Sequence, residues 1–143
     1  MNQADELARR VAEAMFAREG VGPALGIAIE EVREGFARVS MTVRADMLSG
    51  HGIAHGGIVF TMAAAAFGYA ANSRNEATVA QQASIALLTQ AREGETLFAE
   101  ARESTRAGRS GVYHVKVSAG DGRAIAEFTA LSRTLGRAVV EAH

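Results

Sequence analysis

The longest stretch of this sequence without a charged residue is 47–73, and its second half, 57–71, is built largely of alanine and glycine. Val59, Phe60, Met62, Phe67 and Tyr69 are spread through that half, so a helix formed there is apolar on every face. Such a helix must be enclosed on all sides. A bilayer encloses a helix of about 20 residues, and this one is shorter. The segment therefore predicts a helix buried in protein, and the rest of the chain has to supply the wall.

The wall reads as strands. In 36–44, Ala37, Val39, Met41 and Val43 alternate with Arg38, Ser40, Thr42 and Arg44, the pattern of a half-buried antiparallel strand. Residues 25–33, with Ile27 and Ile29, form its hairpin partner through Gly35. After the helix come four more strands, at 78–88, 96–104, 112–118 and 123–134, punctuated by turns at 108–111 and at Asp121-Gly122. Before all of these, Leu7, Val11, Ala14 and Met15 recur at helical spacing and predict an amphipathic helix over about 2–19. Short turns between successive strands favour an antiparallel sheet. One curved antiparallel sheet wrapped around one central helix is the α+β hotdog fold, expected here as a single domain over 1–143.

Composition narrows the function. A chain of 143 residues suits one core. The net charge of -1 supplies no basic field for nucleic acid or an anionic membrane. There is no cysteine, which excludes disulfides, thiolate metal sites and a cysteine nucleophile. The first twenty residues mix acids and bases without an apolar signal core, and a cytoplasmic location is expected.

Chemistry concentrates before the central helix, in Ser49-Gly50-His51-Gly52-Ile53-Ala54-His55-Gly56-Gly57. Amides at a helix start have no partner within the helix, and glycines let a ligand approach them. Gly56 and Gly57 therefore fit either an oxyanion site or a tight turn. His51 and His55 do not make a metal pair, because no acid lies between Asp46 and Glu76 to complete the ligand set. The glycine spacing is too wide for a dinucleotide fingerprint, and Gly108-Arg109-Ser110-Gly111 lacks the spacing of a serine-hydrolase elbow.

His55-Gly56-Gly57-Ile58-Val59-Phe60-Thr61-Met62-Ala63, then Ala66-Phe67-Gly68-Tyr69-Ala70 and Asn72-Ser73, resembles the PaaI-type hotdog thioesterases of phenylacetate degradation. The similarity continues through Gly94-Glu95-Thr96-Leu97, Gly108 to Tyr113, Asp121-Gly122 and Ala126-Glu127-Phe128. It implies hydrolysis of acyl-CoA thioesters of the phenylacetyl or hydroxyphenylacetyl type, with coenzyme A as part of the substrate and no separate cofactor or metal. Carried over residue by residue, it makes His55, Gly56 and Gly57 the helix-start site. An acid belongs nine residues after that histidine, where this chain has Ala64. An asparagine belongs six residues before it, where this chain has Ser49. Arg106 and Arg109 are offered as phosphate contacts, and Asn72 and Gln82 as further substrate contacts. Phe60, Met62, Phe67 and Tyr69 fit either an acyl pocket or the core.

A methyl group is neither nucleophile nor base. Ala64 fits an Asp-to-Ala change made to trap substrate, or a natural acyl-CoA binder that does not catalyse. The intact remainder of the pattern favours the first. A hotdog dehydratase would need a carboxylate placed with a histidine, and none is placed. Positions 57 and 64 are seven residues apart on one helix, roughly 10 Å, too far to meet at one carbonyl. The acid position and the amide must then come from two subunits, which predicts a homodimer with shared sites. The resemblance adds pairing of dimers into a homotetramer.

Overall fold

The computed structural model describes residues 2–141, and the chain builds α1 (Gln3–Arg18), α2 (Val21–Ala24), β1 (Ala28–Arg33), β2 (Phe36–Thr42), a 3-10 turn (Ala45–Met47), α3 (Gly56–Ala71), β3 (Thr78–Leu87), β4 (Thr96–Ala107), β5 (Ser110–Ala119) and β6 (Ala124–Thr134). The six strands form one antiparallel sheet in the order β1-β2-β4-β5-β6-β3. This is the hotdog arrangement. Helix α3 crosses the concave face and contacts every strand. Its 16 residues span roughly 24 Å. Four inter-strand spacings, about 19 Å, separate β2 from β3. The helix is thus long enough to carry the chain from one side of the sheet to the far edge.

Alanine sets how closely helix and sheet approach. Ala63, Ala66 and Ala70 of α3 are fully buried, and so are Ala99, Ala101 and Ala130 of the strands. Small side chains on both surfaces let the sheet curl tightly around the helix. Larger rings fill the space to one side. Phe67 meets Tyr113 edge-on with centroids 5.4 Å apart, and Phe60 meets Phe128 at 5.2 Å.

The convex face is polar and its charges alternate across strands. Register pairs Glu31 with Arg38, Arg38 with Glu100, Glu100 with Lys116, and Lys116 with Glu127. Opposite charges on neighbouring strands favour this register over a slip. The Arg38–Glu100 pair closes to 2.6 Å.

Several boundaries differ from the sequence expectation. Residues 25–27 precede β1, because α2 forms a short helical turn around Pro23 that ends in Gly26 at φ +69°. The turn expected at 108–111 is only Gly108-Arg109, and β4 and β5 pair right up to it through Ala107 and Ser110. Gly108 takes φ +62°, which lets a two-residue connection close the hairpin. A bulge between Glu103 and Thr105 lets β4 run three residues past its expected end at Ser104. No helix among the described residues is long and apolar enough to cross a membrane.

Candidate active site

The chain enters α3 through a loop that closes on itself. Leu48 bridges Ala54, the Ser49 amide donates to the Ile53 carbonyl at 2.8 Å, and Gly52 at φ +76° turns the chain between them. The Ala54 amide donates to the Ala91 carbonyl and the His55 amide to Met47, both at 2.8 Å. The start of α3 is therefore held from two sides.

His55 is the N-cap. Its ring Nδ1 accepts the Gly57 amide at 2.8 Å, while its carbonyl accepts Ile58 and Val59. A ring nitrogen that accepts carries no proton, so this geometry places the imidazole proton on Nε2. Gly57 is thus not a free donor, and the sequence alternatives for the two glycines resolve differently. Gly56 keeps an amide without a partner at the positive end of the helix. A Cβ at Gly57 would stand 3.0 Å from Nδ1 of His55, so a side chain there would press on the capping ring.

Gly56 opens on a cleft of ≈ 220 Å³ lined also by Ser49, Ile53, Val59, Leu87, Leu88 and Ile125. The far rim is the segment 89–91. No ionisable side chain lines it. Ser49 sits in the wall as the sequence expected, and its hydroxyl oxygen also accepts the His51 amide at 3.2 Å. His51 lies exposed in the loop.

Ala64 lies two turns along α3, on the partly open face of the helix. Eight residues separate it from Gly56, or roughly 12 Å along the axis. One chain does not bring position 64 to the free amide.

Other expected contacts are placed elsewhere. Asn72 is 3% exposed. Its amide donates to the Gly68 and Thr78 carbonyls and its Oδ1 accepts the Thr78 amide at 2.8 Å, so it ties the end of α3 to the start of β3 and is closed to substrate. Gln82 pairs with Leu131 on the face turned away from α3, because a bulge at Gln81 shifts the inward positions to Ala83 and Ile85. Five residues of strand, about 17 Å, part Gln82 from Leu87. Arg106 pairs with Glu76 at 3.0 Å and leans toward Glu103. Arg109 stands exposed at the tip of the β4–β5 hairpin. Met62, Phe67 and Tyr69 are core, whereas Phe60 is half-buried.

Hydrogen bonds from Arg44 and Arg123 hold Asp46 and Asp121 below their ordinary values, and the other groups with displaced proton affinities lie at the far end of α3. Burial pushes the Glu103 carboxyl up, but hydrogen bonds from Arg74 and Tyr113 outweigh it and hold the group below its ordinary value. Burial, then the bond to Glu103, pushes the Tyr113 phenol up to about 12. Burial and contact with Glu19 raise Tyr69 as well. The networks of Glu103, Tyr113 and Tyr69 fasten the fold away from the cleft, whereas Arg123, bonded to Asp121, also donates to the Gln90 carbonyl on the cleft rim at 3.1 Å.

Leu87, Leu88, Ile53 and Ile125 were missed as site residues from sequence. As single apolar residues on strands and loops they carry no chemical signal, and only the closure of β3 and β6 against the helix start brings them together.

Known proteins share this arrangement. The Thioesterase superfamily matches residues 51–126. The acyl-coenzyme A thioesterase PaaI of Escherichia coli is 39% identical over 87% of this chain and 89% of its own. The structure of the E. coli PaaI protein from the phenylacetic acid degradation operon superposes with a TM-score of 0.93, at 37% identity, over 95% of this chain and 99% of that one. The smu.793 protein of Streptococcus mutans, bound to acetyl CoA, gives 0.76 at 25% identity, over 78% of this chain and 90% of that one. An Asp-to-Ala mutant of a hypothetical thioesterase from Streptococcus pneumoniae gives 0.75 at 26%, over 78% of this chain and 92% of that one. Fold, helix-start loop and sequence agree over most of its length, and the chain belongs to the Thioesterase superfamily, among the acyl-CoA thioesterases.

Proposed function

We propose that this chain binds thioesters of the phenylacetyl-CoA or hydroxyphenylacetyl-CoA type at a site shared by two subunits, and that Ala64 leaves that site able to hold a thioester but not to cleave it. The observation that carries the reading is the Gly56 amide, unpartnered at the mouth of an apolar cleft with no ionisable side chain. A carbonyl oxygen seated there accepts this N–H, and the amide and helix end stabilise the oxyanion that forms on attack. The cleft supplies the electrophilic half of an acyl transfer, and a base must come from outside it.

Position 64 of a second chain is the place for that base. The distance along α3 rules out the same chain. Strand β3 supports the pairing: it is a sheet edge, exposed along most of its ten residues, and an open edge of that length invites another strand. With a carboxylate at position 64, that group takes a proton from water as the water oxygen attacks the carbonyl, or attacks the carbonyl itself and forms an anhydride that water then hydrolyses to the free acid. In both routes the carbon–sulfur bond breaks and the thiolate of coenzyme A leaves. The pneumococcal relative was solved with an aspartate replaced by alanine, the same kind of change that Ala64 fits here. The acetyl CoA complex of the S. mutans relative supports coenzyme A as the carrier.

The test is Ala64→Asp, followed by thiol release from phenylacetyl-CoA. The substitution is expected to raise the rate by about 10²- to 10⁴-fold with little change in the affinity for thioester. A variant that binds phenylacetyl-CoA and still releases no thiol would sink the enzyme reading.

A further inference from the structure

Leu87 is 56% exposed at the end of β3, the edge that the reading above pairs with a second chain, and its neighbour Leu88 is 55% exposed. Its backbone is nevertheless fixed. Leu87 pairs with Ala126 in the sheet, and the next two amides, Leu88 and Thr89, donate to the Ile125 carbonyl at 2.8 and 3.3 Å. Only its side chain is free to turn.

That side chain rests on the first residue of α3. A Cβ built on Gly56 would lie 2.7 Å from Cδ1 of Leu87. Glycine at 56 therefore makes room for the leucine as well as for a ligand. Leu87 is the residue against which anything bound to the Gly56 amide must pack. Ile53, Val59, Leu88 and Ile125 continue the same apolar surface inward, with Ser49 as the polar point of the wall.

We infer that Leu87 is the acyl-selecting residue of this site: its side chain packs against the acyl group of the thioester at the Gly56 amide and restricts the site to uncharged acyl groups. This rests on the thioester reading above. Two physical terms carry it. An apolar acyl group covers leucine surface that otherwise faces water. An acyl group ending in a carboxylate would place its charge in a cleft without a cationic side chain, where nothing offsets the loss of hydration.

The Ala64 chain suits the test because turnover does not interfere. Titration calorimetry would compare free coenzyme A, acetyl-CoA, phenylacetyl-CoA and succinyl-CoA on the Ala64 chain, on Leu87→Ala and on the volume-conserving Leu87→Met. The Ala64 chain is expected to bind phenylacetyl-CoA about tenfold tighter than succinyl-CoA. Leu87→Ala is expected to lose about tenfold for phenylacetyl-CoA with free coenzyme A unchanged, and Leu87→Met to retain the preference. Leu87 is exposed in the single chain, so neither change disturbs its core, and light scattering on both variants checks that pairing along β3 is kept. If the Ala64 chain binds these thioesters and Leu87→Ala keeps the same acyl preference, the role of Leu87 is overturned while the thioester reading stands. If the Ala64 chain binds neither coenzyme A nor any thioester, both fall.

Discussion

The Nδ1 atom of His55 accepts the amide of Gly57 at 2.8 Å, and this one bond divides the two glycines at the start of α3 into a capped residue and a free one. The histidine acts on the site through the backbone. Replacing it with alanine removes an N-cap, which costs about 1 kcal/mol of stability, and releases a second amide beside Gly56. His55→Asn is expected to recover most of the loss, because asparagine also caps. Chemical denaturation of the two variants measures the difference. A stability equal to that of the parent chain in both would show that the cap carries no weight.

The separation of Gly56 and position 64 makes subunit sharing directly testable. One chain carries Ala64→Asp together with Gly56→Val, so that it has a carboxylate but a blocked amide. The other is the Ala64 chain, which has the amide and no carboxylate. Each alone is expected to be inactive toward phenylacetyl-CoA. Mixed by unfolding and refolding together, they are expected to form hybrids in which the introduced carboxylate meets an intact Gly56. Thiol release appearing only in the mixture is the expected outcome, and silence in a mixture proven to contain hybrids contradicts the shared site.

Glu103 links the fold to pH. The Arg74 guanidinium and the Tyr113 hydroxyl bond its carboxylate, at 2.6 and 2.9 Å, and hold it below the ordinary value despite burial. A depressed carboxyl contributes stability that is fully present above the unfolded-state value, about 4.3, and is lost as pH falls through the folded-state value. Thermal melting from pH 7 downward is expected to show stability declining below about pH 5. Glu103→Gln is expected to melt lower at pH 7 and to show a shallower acid slope. An unchanged slope would remove Glu103 from the account of acid sensitivity.

Lys116 stands between Glu100 and Glu127 in the row of alternating charges on the convex face. Lys116→Glu would set three acids on neighbouring strands. The expected cost is about 1 kcal/mol at low salt, reduced in high salt because Lys116 and Glu127 are exposed and Glu100 is only half-buried. Urea denaturation at two salt concentrations distinguishes this from a packing defect, which salt would not relieve.

Local signals made the fold legible. The uncharged segment of α3, the clean alternation of β2 and the turn residues between strands each follow from one short window of sequence. Ser49 and Gly56 stood out in sequence because they lie in a glycine-rich loop before a buried helix, and the structure puts both on one cleft. Asn72 was misread because an amide that caps a helix and one that contacts a ligand look alike in sequence, and only the position of Thr78 against it separates them. Gln82 was misread because a bulge at Gln81 carries no mark in the residues themselves.

By itself the sequence determined that this chain buries an alanine-rich helix within an antiparallel sheet, that the helix begins at a pair of glycines, and that position 64 holds a methyl group. Those facts depend on residue type and on spacing along the chain. Which glycine amide stays free, and which leucine covers it, only the tertiary structure decided. Both depend on where a ring nitrogen and the far end of β3 arrive in space, across contacts between residues as distant as Gly56 and Leu87.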